Sequence, residues 1–421
     1  MAGKTNKRSA LVLSGGGARG AYEAGVLNFI RTGLTAKQGA KKVFDVHCGS
    51  SVGAINTCFM AAYADDLSEQ GKKIYELWDN LDQDNIYKRN FGALTHLLGR
   101  TTKGITSNLF TLNPFNLRKR QGEGIHFRGF LDTEPFPGYL KDIIPFKKIA
   151  QNIKAGHIQA VSLTATNIST GNMELFIQKH PNLEYTGEYA HRVVELQPEH
   201  AMASAAIPLI FPPVMVDKTY YMDGGLKLNT PLSPAIQLGA NHILVIGLHR
   251  RYQHGEQIVC SIAPTEHPTL GQMVGEIMNA FFVDRIQYDV EQLTRINRMV
   301  EWSEKIYGPD YLDKINTMLI NQGIKGDIAN RGLKKLKVLE VLPSVDMATI
   351  FSECYHSSKK TRKSFTTFEK ILLRLLDIDP TAGVDILSYL SFMPVYLKRL
   401  MELGYEDAKL MKDQLEEFLT E

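Results

Sequence analysis

Gly49-Ser50-Ser51-Val52-Gly53 is the stretch on which the reading of this 421-residue chain turns. It sets Ser51 in a G-x-S-x-G frame between a strand-like run, Val43-Phe44-Asp45-Val46-His47-Cys48, and a helix-like one in which Ile55, Phe59, Met60 and Tyr63 recur at helical spacing. A serine there stands at a sharp strand-to-helix turn. Gly49 and Gly53 suit a turn with no room for Cβ atoms, and the following helix aims the positive end of its dipole at the serine. By itself the string has little specificity, since it arises by chance in roughly one chain in seven of this length. Its weight depends on what stands elsewhere.

Nearer the N-terminus, Ala10-Leu11-Val12-Leu13 is a short apolar strand that breaks into Ser14-Gly15-Gly16-Gly17-Ala18-Arg19-Gly20. A helix follows at once, with Tyr22, Val26, Leu27 and Ile30 on one face. The glycines therefore lie at a strand-to-helix junction, whose free N–H groups bind negative charge, either a resident phosphate or an oxyanion formed in a transition state. Gly15-x-Gly17-x-x-Gly20 also fits the dinucleotide fingerprint, which wants an acid about twenty positions on at the end of the second strand. Asp45 comes near that spacing but sits inside the strand, whose end is taken by Ser51. A cofactor ribose and a nucleophilic serine would compete for one place, which disfavours the nucleotide.

A third segment discriminates further. Ala203-Ser204-Ala205-Ala206-Ile207-Pro208 and Phe211-Pro212-Pro213-Val214 lead through the strand-like Thr219-Tyr220-Tyr221-Met222 into Asp223-Gly224-Gly225. The three motifs in this order resemble the patatin-like phospholipases. Leu131-Asp132-Thr133-Glu134-Pro135, Thr164-Ala165-Thr166-Asn167 with Thr170-Gly171, and Leu226-x-x-Asn229-x-Pro231-Leu232 with Leu238-Gly239-Ala240 are similar to that family too. So, for its bacterial members, are Asp284, Arg295-Ile296-Asn297 and Leu403-Gly404-Tyr405-Glu406-Asp407-Ala408.

The resemblance implies a serine–aspartate dyad, with Ser51 as nucleophile and Asp223 as general base. It implies an oxyanion hole at Gly15, Gly16, Gly17 and Ala18, with Arg19 holding that loop and its charge, and motif glycines at Gly20, Gly49, Gly53, Gly224 and Gly225. Ser14 stands where plant members often have aspartate. A serine hydroxyl needs a neighbour to take its proton at neutral pH, and a carboxylate is an indifferent base, so Asp223 has to touch Ser51. The Gly-Gly turn after Asp223 lets the carboxylate reach in. No residue cluster asks for a metal or cofactor.

Two other readings stay open on the sequence. The order Ser51, Asp223, histidine suits a Ser-His-Asp α/β-hydrolase esterase, with His249 just beyond the buried-strand run Ile243-Leu244-Val245-Ile246-Gly247-Leu248 as the third member, while His242 and His254 have no better claim. The chain could also be a binding or effector protein that keeps the fold and needs a partner for activity. Intact motifs speak against lost chemistry.

Composition agrees with an enzyme: 44% hydrophobic residues in 421 build a large core. Cys48, Cys58, Cys260 and Cys354 form no spaced pairs, which suits a reducing compartment, and Cys48 reads as a core thiol. No signal peptide and no run of eighteen apolar residues is present, so the expectation is a cytoplasmic protein with transient membrane-surface association. Net charge is +3, too little for a nucleic-acid binder. Yet residues 86–122 carry seven bases and no acid, interleaved with aromatics and leucines. Arg118, Lys119 and Arg120 in this segment are candidate contacts to anionic lipid, at about 1 kcal/mol per cation. The expected substrate is a phospholipid or lysophospholipid at a membrane surface, with a protein activator as a further candidate partner.

Alternating strand and helix patterns, with further strand-like runs at Ile158-Gln159-Ala160-Val161-Ser162-Leu163 and Glu174-Leu175-Phe176-Ile177, predict a three-layer α/β/α fold with a mainly parallel central sheet, plus C-terminal helices. The catalytic domain is expected over 7–250, with a cover segment at 86–122. A helical extension over 251–344 follows, including a connector from Tyr252 to Leu270, a long helix through Met273 to Leu293 and a strand at Lys335 to Leu342. The region 345–421 reads as helical, restarting at Pro394, with Ala408, Met411, Leu415 and Phe418 along one apolar stripe.

Overall fold

The structure, a computed structural model, describes residues 7–88, 129, 131–251, 286–322, 334–357 and 384–421. Arg118, Lys119 and Arg120 with most of their basic segment, the connector from Tyr252 to Leu270, and Asp284 lie outside the described residues. Among the described residues nine strands make one sheet: β1 (Ser9–Leu13), β2 (Val46–Ser50), β3 (Ala160–Asn167), β4 (Met173–Lys179), β5 (Ala190–Val193), β6 (Val214–Val216), β7 (Thr219–Asp223), β8 (His242–Ile246) and β9 (Lys337–Val341). The main path runs β5-β4-β3-β2-β1-β8-β9. Its centre is parallel, from β3 through β9, and antiparallel pairing is confined to β3–β4, β3–β7 and β6–β7.

Alternation along β1 makes the three layers. Leu11 and Leu13 join Val161, Leu163, Leu244 and Ile246 in one apolar cluster, whereas Ala10 and Val12 join Val46, Cys48, Ile243 and Val245 in another. Both faces of the central strands are covered, as an all-parallel centre requires. Cys48 is a fully buried core thiol that burial pushes far above its ordinary pKa.

Three helices close to the site need names: α1 (Ala21–Asn28), α2 (Val52–Ala62) and α3 (Leu67–Asp79). Every residue of α2 is buried. The helix Pro394–Leu410 begins at its proline and crosses α1 at backbone contact. A Cβ on Gly25 would stand 2.0 Å from the Met401 carbonyl oxygen, and one on Gly404 2.1 Å from that of Tyr22. The crossing is pinned by Tyr22, whose hydroxyl donates to Asp407 Oδ2 at 3.1 Å. The C-terminal helices thus belong to the larger apolar cluster, with Leu415, Phe418 and Leu419 in it.

Some boundaries differ from the sequence reading for physical reasons. The strand expected from Val43 begins at Val46, because the Asp45 carboxylate is engaged in accepting the Ser9 N–H at 2.8 Å and so fastens the start of β1. The strand expected to end at Leu163 continues to Asn167, its threonine hydroxyls satisfied by donation to Ser50 Oγ and to the Asp223 carbonyl. The long helix is described from Ile286 to Tyr307, well past Leu293.

Candidate active site

Ser51 sits on the elbow between β2 and α2 with φ 52° and ψ −126°, a conformation that a side chain adopts only under strain. Its neighbours show why glycine flanks it. A Cβ on Gly49 would lie 2.2 Å from the Gly53 carbonyl oxygen, and one on Gly53 2.4 Å from that of Leu13. The elbow is held by its own amide, since Ser51 N–H donates to Ser204 Oγ at 2.9 Å.

Asp223 ends β7, and strand pairing explains how it meets the serine. β2 occupies one edge of β3 as far as Ser50 opposite Thr164, and β7 takes over from Asp223 opposite Ala165. The parallel strand and the antiparallel one therefore end head to head. Ser51 Oγ donates to Asp223 Oδ2 at 2.6 Å, while Asp223 Oδ1 accepts the Gly225 N–H at 2.7 Å. Gly224 cannot carry a side chain here, because its Cβ would lie 2.3 Å from the Thr164 carbonyl oxygen. Burial pushes the Asp223 carboxyl up to about 7, against the lowering pull of the hydrogen bonds from Ser51 and Gly225.

The glycine loop packs directly on this pair. Gly15 exchanges two hydrogen bonds with Asn229, N–H to carbonyl at 3.0 Å and carbonyl from Asn229 Nδ2 at 3.2 Å. A Cβ on Gly15 would stand 2.9 Å from that of Ser51. The Gly15 amide is thereby committed, and the Arg19 amide donates to the Gly16 carbonyl. Of the loop expected to form an oxyanion hole, the amides of Gly16, Gly17 and Ala18 donate to no acceptor among the described residues. A negative charge arriving there would meet open donors at the head of α1.

Arg19 is buried and reaches the helix Val384–Leu390. Its Nε and Nη2 donate to Ser388 Oγ at 2.9 and 2.6 Å, its Nη1 donates to the Tyr389 hydroxyl at 2.9 Å, and its Cζ lies 3.8 Å from the Tyr389 ring centre. His249, the candidate third member of a triad, bonds Tyr389 Oη through Nε2 at 2.8 Å. Burial, with the Arg19 charge adding to it, holds its pKa down at about 3. No described histidine bonds Ser51 or Asp223, and His242 stands at the opposite end of β8. His254 lies outside the described residues.

Beside Ser51 opens a narrow apolar pocket with about 50 Å³ of free space. Gly17, Ser51, Ile55, Trp78, Leu140 and Phe392 are among its lining residues. Trp78 hides its one polar atom by donating to Asn56 Oδ1 at 3.0 Å, and Asn56 in turn donates to the Gly20 carbonyl and to Glu23 Oε2. Burial pushes the Glu23 carboxyl well above its ordinary range, against the lowering pull of the Asn56 hydrogen bond. Ser204 and Asn229 fall in stretches that the sequence comparison with a family already picked out, though without roles. Asn56, Trp78 and Tyr389 carried no sequence signal at all. Among the described residues no group of three or more His, Cys, Asp or Glu could hold a metal ion.

The fold these parts define is the three-layer α/β/α sandwich, with a mainly parallel sheet that delivers an elbow serine and a hairpin aspartate to one point. The chain belongs to the patatin-like phospholipase family, whose model matches residues 11–236, and this membership supports lipid hydrolysis. Among solved structures it is similar to VipD from Legionella pneumophila, at 13% identity and TM-score 0.29 over 96% of this chain and 91% of that one. It is also similar to human GIVD cytosolic phospholipase A2 in complex with methyl gamma-linolenyl fluorophosphonate, at 11% identity and TM-score 0.37 over 98% of this chain. There it spans 58% of the human chain's length. No curated protein matches it in sequence. No described helix is long and apolar enough to cross a membrane.

Proposed function

We propose that this chain is a lipid acyl hydrolase of the phospholipase A or lysophospholipase type, working through a Ser51–Asp223 dyad and an acyl-enzyme. The observation that carries the reading is the 2.6 Å bond from Ser51 Oγ to Asp223 Oδ2 beside a wholly apolar pocket. One acyl chain lies along Ile55, Trp78 and Leu140, with its ester carbonyl beside Ser51. Asp223 takes the hydroxyl proton as Oγ attacks the carbonyl carbon, and the amides of Gly16, Gly17 and Ala18 receive the oxyanion. Collapse expels the alcohol, which takes that proton from Asp223. Water then gives its proton to Asp223 and attacks the acyl-enzyme, and the returning proton restores Ser51 as the fatty acid leaves.

A carboxylate held near pH 7 is a far better base than one near 4, so burial of Asp223 supports its role. The substrate is reached at a membrane surface. The deciding experiment is fatty-acid release from mixed phospholipid vesicles, with and without EDTA, by wild type, Ser51→Ala and Asp223→Asn. Metal-independent release lost in both variants supports the dyad. Absence of release by wild type, with no fluorophosphonate labelling of Ser51, sinks it in favour of a binding role, whereas labelling without release calls for a protein activator.

A further inference from the structure

The glycine loop is fastened from outside the matched family region, by the segment Ser388–Phe392. Three observations converge on it. Arg19 is buried with its guanidinium spread over Ser388 Oγ, the Tyr389 hydroxyl and the Tyr389 ring. Gly17, held at φ 55°, lies so close to the same segment that a Cβ there would stand 2.2 Å from the Tyr389 carbonyl oxygen. Phe392 continues from there into the wall of the apolar pocket.

Tyr389 is itself braced, because His249 Nε2 bonds its hydroxyl at 2.8 Å from the end of β8. A guanidinium is rigid and planar, so holding three of its nitrogens tethers, through the side chain, the backbone from which it springs. That backbone is the turn Gly17–Gly20, whose first amides are the open donors.

We infer that Tyr389 and Ser388 are positioning residues for the ester-cleaving reaction, setting the Gly16–Ala18 amides at the oxyanion through their grip on Arg19. Oxyanion donors act only when held at the right distance before charge develops, and a misplacement of about 1 Å can cost about 10²-fold in rate. The inference rests on the hydrolase reading for its kinetic consequence, but the grip itself has a separate readout.

Tyr389→Phe keeps the ring over Arg19 and removes the hydroxyl; Ser388→Ala removes the other acceptor. With a soluble short-chain ester that does not fill the pocket, each variant is expected to lower kcat about 10- to 100-fold with little change in KM, and to weaken a trifluoromethyl ketone inhibitor in proportion. Ser388→Thr, which restores the hydroxyl, should recover most of the rate. In hydrogen exchange, peptides covering Gly15–Gly20 should lose protection in Tyr389→Phe while β8 keeps its own. Unchanged exchange over the loop overturns the inference, as does a loss confined to KM or one that Ser388→Thr fails to recover. A wild type without turnover would count against the hydrolase reading and leave the exchange result to decide this one.

Discussion

Ser51 and Asp223 stand at the ends of two strands that share one edge of β3, with Ser50 opposite Thr164 and Asp223 opposite Ala165. Their meeting is therefore a matter of register. A one-residue slip of β7 would turn the carboxylate to the other face of the sheet. The Gly225 N–H donating to Oδ1 leaves Oδ2 to accept from the serine hydroxyl.

Asp223→Asn removes the proton acceptor and leaves an amide of the same shape. The expected loss in kcat is about 10² to 10⁴, measured on a soluble ester, and EDTA should leave the wild-type rate unchanged. Activity within a few-fold of wild type would remove Asp223 from the chemistry.

Because the carboxyl is held up to about 7, the working form is the deprotonated one above that value. The kcat/KM profile should climb with unit slope below pH 7 and level off above it. A profile flat from pH 5 to 8 would contradict a base in this environment.

The same burial costs stability, with a definite sign. Between the unfolded carboxyl near 3.8 and the folded one near 7, the folded chain holds a proton that the unfolded chain has shed, so stability falls as pH rises through that window. Asp223→Asn should therefore stabilise the fold about 2–3 kcal/mol more at pH 8 than at pH 5. Urea titrations at the two pH values measure the difference, and equal gains would deny the raised pKa.

Leu140 is fully buried and lines the pocket. Leu140→Trp should shorten the acyl chain accepted, lowering kcat/KM for a sixteen-carbon ester by about tenfold or more while a four-carbon ester is spared. Equal loss for both chain lengths would mean that the acyl group lies elsewhere.

At the crossing of α1 with the helix Pro394–Leu410, Gly404→Val puts a side chain where the Tyr22 carbonyl already stands. Overpacking against backbone should cost about 3 kcal/mol or more, read as a drop in Tm. A neutral outcome would show that the two helices separate easily.

Much of this site was legible because its chemistry forces particular residues into short windows. An elbow serine needs glycine on both sides, and the Gly49 and Gly53 contacts show the steric reason. Asp223 was legible only through the resemblance of the three motifs in order to a family, because an Asp-Gly pair alone reads as an ordinary turn. The strands were found by apolar runs, but the end of β3 was missed, since Thr164 and Thr166 look polar until their hydroxyl partners are known. Arg19 was assigned to the loop, yet its partners Ser388 and Tyr389 lie about 370 positions away, and no local pattern announces such a pairing. Gly15 looked like one more oxyanion donor; only the bond to Asn229 showed its amide to be occupied.

The position of β1 has a consequence for how the protein is made. Its outer neighbour at the core, β8, is supplied from far downstream: Arg8 N–H reaches its Asn241 partner across 233 positions. A nascent chain therefore leaves the ribosome with a bare strand, apolar from Ala10 to Leu13, that waits for most of the sheet to be synthesised. Such strands invite pairing with strangers, and sheets closed by distant segments form slowly. Yield of folded protein should thus depend on chaperones that shield this strand, more than on the stability of the finished fold.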